Sequence, residues 1–363
     1  MEPRMDSLTA LPKLRIGNVD IGFPVVQAAL SGYSDWPMRL LARRHGASYS
    51  LCEVMLDQFL ITLRHRERTR HFLHLTDEEH PVGGQLMGAD PAEFAQGAIR
   101  LAQAGFDVID INFGCPVKKV LGRCRGGYHL SQPAIALEIV RRTREAVPPS
   151  IPVTVKMRRG IDDSSQSREH FFEILEGAFA AGIAAATIHG RTVEQKYVGP
   201  SRWEFLHEAK RRFPNKTILG SGDLFTAADC MRMLRETGVD GVTVARGAIG
   251  NPWIFQQCRA LADGLPLPAP PSLHQQRQVI EEHFGLAEQL YGPQRCGTLM
   301  RKFGIKYSAS HPQHTQVRTA FATVKNRQEW TEVLQTWYGD DLPGVYPDTH
   351  SQRSIVNCGP ADA

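Results

Sequence analysis

Between residues 24 and 262, apolar and polar positions recur in one order: a short strand-like run, a turn, then an amphipathic stretch with apolar residues three and four apart. Strands are predicted over Val25–Leu30, Ser48–Val54, Val82–Met87, Val108–Phe113, Val153–Met157, Ala185–His189, Thr217–Gly220 and Gly241–Ala245. Helical periodicity falls between them, for example over Pro91–Ala104, Ala134–Ala146, Arg168–Ala181, Ser201–Arg212 and Thr226–Glu236. Eight strand-then-helix units in ~240 residues match the size of a (β/α)8 barrel, with a doubly wound open sheet as the alternative. No Gly-x-Gly-x-x-Gly follows the first strand, which counts against the dinucleotide-binding version of the open sheet. The predicted fold is therefore α/β, a TIM barrel over residues 1–262.

The pattern changes at Asp263, where a proline-rich run reads as a linker over residues 263–272. Beyond it, Leu273–Tyr291, Thr298–Ala309, Thr315–Val324 and Gln328–Trp337 have helical periodicity and no strand signal, so a small all-α domain is predicted over 273–341. Residues 342–363 are polar, broken by Pro and Gly, and expected to form a loose tail. Composition adds exclusions. No stretch approaches the ~18 apolar residues of a membrane span, and Met1–Leu14 has no apolar core of a signal peptide. The seven cysteines are scattered without a C-x-x-C pair, so reduced thiols in a cytoplasm are expected, with neither disulfides nor a zinc site. A formal charge of +4 permits an anionic partner without requiring one.

Candidate chemistry sits at the ends of the predicted strands, the edge where α/β barrels carry their active sites. The fourth strand runs into Asn112-Phe113-Gly114-Cys115-Pro116, which places a thiol on a loop. Lys118, Lys119, Arg123 and Arg125 follow, with no carboxylate between Asp110 and Glu138, as befits a site that receives a polyanion. A small buried hydrophobe is the plain alternative for Cys115. Lys156, flanked by Val155 and Met157, points either into the barrel mouth or outward to snorkel between helices. Gln85 either hydrogen-bonds a heterocycle or merely ends the third strand, and His189 is either a core histidine or a phosphate partner. The seventh and eighth strands end in Ser221-Gly222-Asp223 and Ala245-Arg246-Gly247; loops in those positions often bind phosphate, and Arg246 supplies a forked cation. The aspartates near these loops lack the spacing and histidine partners of a metal centre.

Taken in order, Asn112-Phe-Gly-Cys115-Pro, Val155-Lys156-Met-Arg158, His189-Gly-Arg191-Thr with Gln195 and Tyr197, Ser221-Gly-Asp223 and Ala245-Arg246-Gly-Ala-Ile-Gly-Asn-Pro-Trp resemble the tRNA-dihydrouridine synthase family, most closely its bacterial B-type branch. The resemblance implies an FMN enzyme that uses NADPH to reduce the C5=C6 bond of a uridine in tRNA. Hydride would pass from N5 of reduced FMN to C6, and Cys115 would give the proton to C5. It assigns cofactor contacts to Ala29, Leu30, Ser31, Gln85, Lys156, His189, Ser221, Gly222, Asp223, Ala245 and Arg246. Substrate contacts fall on Asn112, Lys118, Lys119, Arg191, Arg301 and Lys302, with 273–341 as an RNA-binding domain. A monomer without a metal is expected.

Some positions depart from the family pattern. Ala29-Leu30 replaces Pro-Met, Ser221 stands where Asn is usual, Ala245 where Gly is usual, and Phe303 where His follows Arg-Lys. Tyr128-His129 replaces small and aliphatic residues, and these two rings are expected to reshape the uridine pocket. A flavin barrel acting on a free pyrimidine is the alternative function, disfavoured by the appended basic helices.

Overall fold

The computed structural model describes residues 11–64 and 67–348. Eight parallel strand positions follow chain order around a ring: Val25–Gln27, Ser50–Leu51 with Met55–Leu56, Val82–Met87, Val108–Phe113, Val153–Arg158, Ala185–His189, Thr217–Ser221 and Gly241–Val244. The eighth pairs with the first, Val244 beside Gln27, and closes a barrel. All eight predicted strands are present, but the second is split. Leu51 pairs with Gly83 and Met55 with Leu86, so one extra residue bulges out of the second strand. Cys52 lies in the gap, where its sulfur accepts the Gln85 N–H at 3.4 Å.

Strand alternation decides which way each side chain points. Ile109, Ile111, Val155, Met157, Ile188 and Val242 form the outward set and pack beneath the helices. Val26, Leu51, Val108, Ala185 and Leu219 fill the lower axis of the barrel. In register above them, Asp110 lies beside Thr154, Asn112 beside Lys156, and Arg158, His189 and Ser221 lie side by side. Lys156 therefore points inward, and the outward alternative is excluded. A hairpin absent from the prediction, Leu14–Ile16 with Val19–Gly22, packs Leu14, Ile16 and Ile21 against the apolar base. Its signal was Gly17-Asn18 between two alternating runs. With the base closed, the polar end is left as the mouth.

Four helices follow: Leu273–Tyr291, Pro293–Tyr307, His314–Thr323 and Arg327–Trp337. The second begins five residues before the predicted Thr298, because Pro293 occupies the first helical turn, where its missing N–H has no helical partner to lose. These helices share the barrel's hydrophobic core rather than standing off on a free linker. Tyr291 donates to Asp35 Oδ2 at 2.9 Å, Lys302 donates to the Gly32 carbonyl, and Phe303 meets Tyr33 edge-on at 5.5 Å. At Gly250, φ is +69°, and a Cβ would lie 2.5 Å from the Lys306 carbonyl carbon, so only glycine lets these backbones approach. The start of the predicted tail is also tied down. Leu342 accepts from Leu273 N–H, Val345 N–H donates to Ser310, and Tyr346 donates to Pro268 at 2.6 Å. Residues 349–363 of that tail lie outside the described residues. No helix among the described residues is long and apolar enough to cross a membrane.

A buried ion pair pins the loop after the first strand. Arg39 meets Glu79 at 2.7 Å, with side chains 2% and 0% exposed, and also donates to the carbonyls of Ser34 and His74. Glu79→Ala leaves that guanidinium buried without its counter-ion, so unfolding stability should drop by about 3–5 kcal/mol. Urea denaturation measures this; a loss below about 1 kcal/mol would mean that water reaches and solvates Arg39.

Candidate active site

Cys115 stands half-buried at the mouth, on the loop leaving the fourth strand. The Gly127 N–H donates to its carbonyl at 3.0 Å, and Arg158 Nε donates to the preceding Gly114 carbonyl at 2.9 Å. Arg158 Nη1 also reaches the carbonyls of Thr192 and Lys196, at 2.8 and 2.7 Å, and so clamps this loop to the one after the sixth strand. Sequence reasoning quoted Arg158 without giving it a site role; its spacing of two from Lys156 was the available signal. Burial pushes the Cys115 thiol above its ordinary value, against weaker pulls from the Val117 N–H, Arg158 and Lys156. The sulfur is therefore a protonated thiol at neutral pH, despite its basic surroundings.

Beneath the loop runs a chain of amides. Asn112 Oδ1 accepts the Gly114 N–H at 2.9 Å, and its Nδ2 donates to Gln85 Oε1 at 2.8 Å. Gln85 Nε2 donates to Asp110 Oδ2 at 2.7 Å, and Thr154 donates to Asp110 Oδ1 at 2.5 Å. Lys156 lies beside Asn112 in register. Burial, followed by repulsion from Arg158, lowers its ammonium to about 8, while Asp110 and Cys115 hold it up.

The late strands gather cations. His189 is buried; Nδ1 lies 3.4 Å from Ser221 Oγ, and Nε2 has no partner among the described residues. Burial, followed by Arg158, Lys156, Arg191 and Arg246, holds this imidazole well below its usual range, so it is neutral. An orphaned ring nitrogen among four cationic side chains suits an anion such as a phosphate. Asp223 does not face such a ligand freely: it accepts from Arg191 Nη2 at 2.6 and 2.8 Å and from Ser201 N–H at 2.7 Å, with Arg246 at 3.9 Å. It orients the two arginines. Arg246 also stacks over Tyr197 at 5.0 Å. The glycines of these turns serve packing rather than open space. A Cβ on Gly222, where φ is +114°, would meet Ser201 Oγ at 2.3 Å, and one on Gly247 would meet the Leu224 carbonyl at 2.4 Å. Arg191, Tyr197, Trp203, Asp223, Arg232 and Arg246 are among the residues around an adjacent cavity of about 550 Å³.

The remaining candidates divide. Ala29 and Leu30 are half-buried and Ser31 is exposed. The Leu30 N–H donates to Ser34 Oγ at 2.8 Å, and its carbonyl accepts from Tyr33 and Ser34 N–H, so internal bonds fix this turn. Ala245 opens a single turn, Arg246–Ala248. Lys118 and Lys119 are exposed on the short helix after Cys115, and Arg123 is exposed beyond it. Arg125 is not part of this basic lip; it is buried and donates to Gln58 at 2.8 Å. Nor does His129 enter the mouth, since it is buried, lies 2.9 Å from the Gly88 carbonyl and packs on Phe113. Arg301 donates to the Val324 carbonyl, and half-buried Lys302 is engaged by Gly32. Both therefore hold the helical region together or dock it. Phe303, at the position of the customary His, is buried against Tyr33 and His283.

A family model described as dihydrouridine synthase (Dus) matches residues 26–340. A probable tRNA-dihydrouridine synthase of Mycobacterium tuberculosis is 33% identical over 353 residues, covering 95% of this chain and 88% of the relative. The tRNA-dihydrouridine synthase B of Xanthomonas campestris is 30% identical over 341 residues, covering 93% of this chain and 99% of its own length. Among solved structures, morphinone reductase matches with a TM-score of 0.53 at 14% identity, over 73% of this chain and 93% of that one, a likeness of barrel fold alone.

Proposed function

The chain belongs to the dihydrouridine synthase family, and on that basis we propose that it reduces the C5=C6 bond of a uridine in tRNA to 5,6-dihydrouridine, with FMN as cofactor and NADPH as reductant. One observation carries the reading: a thiol kept protonated by burial shares its rim with an inward lysine and an orphaned, cation-ringed histidine. Lys156, His189, Arg158, Arg246 and the turn at Ser221-Gly222 would hold the flavin and its phosphate. When bound and reduced by NADPH, the flavin supplies the hydride that uracil needs at C6.

The rest falls to this chain. Charge left toward C5 and O4 of the ring requires an acid, and Cys115 is the protonated group on a loop at the mouth. Its S–H gives the proton to C5 and is replenished from solvent. Asn112 has one amide hydrogen and one lone pair beyond its internal bonds, enough to align a uracil edge. A target base stacked in folded tRNA must turn out to reach the mouth. The exposed Lys118, Lys119 and Arg123 are suited to hold the phosphates around it.

Purified protein should be yellow, and incubation with NADPH and tRNA should produce dihydrouridine by mass spectrometry of nuclease digests. Colourless protein, or flavin reduction without any modified RNA, would overturn the reading. The lip is tested separately. Reversing both Lys118 and Lys119 to Glu should lower kcat/KM for tRNA by about tenfold or more at low salt and reduce the salt slope by about 2. Reduction of the bound flavin by NADPH should be unchanged. An unaltered salt slope would remove these lysines from the RNA contact.

A further inference from the structure

Asp110 is only 3% exposed, yet the polar chain leading up to the Cys115 loop hangs from it. A carboxylate accepts and cannot donate, so its two bonds impose a direction on everything above. With Gln85 Nε2 held by Asp110 Oδ2, the Gln85 oxygen is the atom left for Asn112, and Asn112 Nδ2 donates to it. Asn112 must then turn its own oxygen toward Gly114 N–H, one residue before the cysteine. Each amide has two orientations related by a flip, and only one chain of orientations satisfies every contact. Thr154, on the neighbouring strand, holds the other carboxylate oxygen and keeps the anchor from rotating.

We propose that Asp110 is a positioning residue that fixes the amide orientations of Gln85 and Asn112 and, through Gly114, seats the loop carrying Cys115. The proposal rests on the catalytic role given to Cys115 above, but its geometric part stands without it. Asp110 also faces Lys156, whose other charged or titratable neighbours include Arg158, Cys115 and His189. Burial pushes the Asp110 carboxyl up, while the Thr154 and Gln85 hydrogen bonds and Lys156 favour the ionised form.

Two substitutions separate orientation from charge. In Asp110→Asn, the new amide can offer its oxygen to Gln85 and its nitrogen to the Thr154 hydroxyl, which is able to accept. The order of the chain survives while the charge is lost. In Asp110→Leu, Gln85 Nε2 loses its buried acceptor, and the orientation of both amides rests on the Gly114 N–H alone. The first readout needs no flavin and no RNA: alkylation of Cys115 by iodoacetamide, followed by peptide mass spectrometry, with the exposed Cys124 as internal reference. Asp110→Leu should change the Cys115 rate relative to Cys124 by at least about threefold, while Asp110→Asn stays near the parent. In turnover, Asp110→Leu should lower kcat by about 10- to 100-fold with KM for NADPH unchanged, and should add nothing once Asn112 is already Ala. Should Asp110→Leu fail to fold, Gln85→Leu breaks the same link from the other side by removing the donor to Asp110, and the same readouts apply. A folded variant with parent-like Cys115 alkylation and kcat would overturn the proposal. Changed alkylation in a protein that never modifies RNA would instead overturn the functional reading and leave the positioning role standing.

Discussion

Cys115→Ala is expected to abolish dihydrouridine formation while leaving a yellow protein that NADPH still bleaches. General acids of this kind contribute about 10²- to 10⁴-fold, and among the described residues no second thiol stands in reserve nearby: Cys52 is buried in the gap of the second strand and Cys124 is exposed beyond the short basic helix. The sign of the pKa change matters. An acid raised by burial holds its proton throughout the neutral range and yields it only as pH rises past its ordinary thiol value, so Cys115 sets no limit near neutrality. Mass spectrometry of tRNA digests, run beside anaerobic bleaching by NADPH, separates the two half-reactions. Product at more than about a tenth of the parent rate would show that another group delivers the proton.

Lys156→Met is the second large effect. A cation lowered to about 8 is present below that pH and disappears as pH rises through it. Electrostatic help from Lys156 should therefore be flat in acid and fail from about pH 8 upward. A bound anion moves that limb higher, never lower. No nearby base mimics it: His189 is held well below its usual range, and Arg158, lowered by burial, reaches only about 10. In Lys156→Met, the rate of bleaching by NADPH should fall by about 10²-fold and lose the inflection. The same alkaline limb persisting in the variant would assign it to another residue.

Much of this was legible in the sequence because strand phase is a local property. Apolar alternation located all eight strands, and the i, i+2 rule that puts Val155 and Met157 outward puts Lys156 inward. What stayed hidden depends on partners distant in the chain. Asp110 reads as one polar residue in an apolar run until Gln85 and Thr154 are seen on either side. Arg125 reads as one more basic residue but lies over Gln58, and His129, expected with Tyr128 in the pocket wall, is turned away to Gly88. Lys302, a substrate contact by family resemblance, is held by a carbonyl 270 residues away, a partner that no local pattern announces. The N-terminal hairpin is a different kind of miss. Gly17-Asn18 is a readable turn, but the strands it joins are only three and four residues long, too short to stand out by alternation.

Gly250 gives the last of these contacts its meaning. Because bare backbone sits on bare backbone there, with Tyr291, Lys302 and Phe303 locking the same seam, the helical region is docked on the barrel by contacts spread along its first two helices. Its outer surface and the thiol are therefore a fixed span apart, like the jaws of a gauge. Any ligand long enough to touch both must match that span, which makes the seam a ruler rather than a joint.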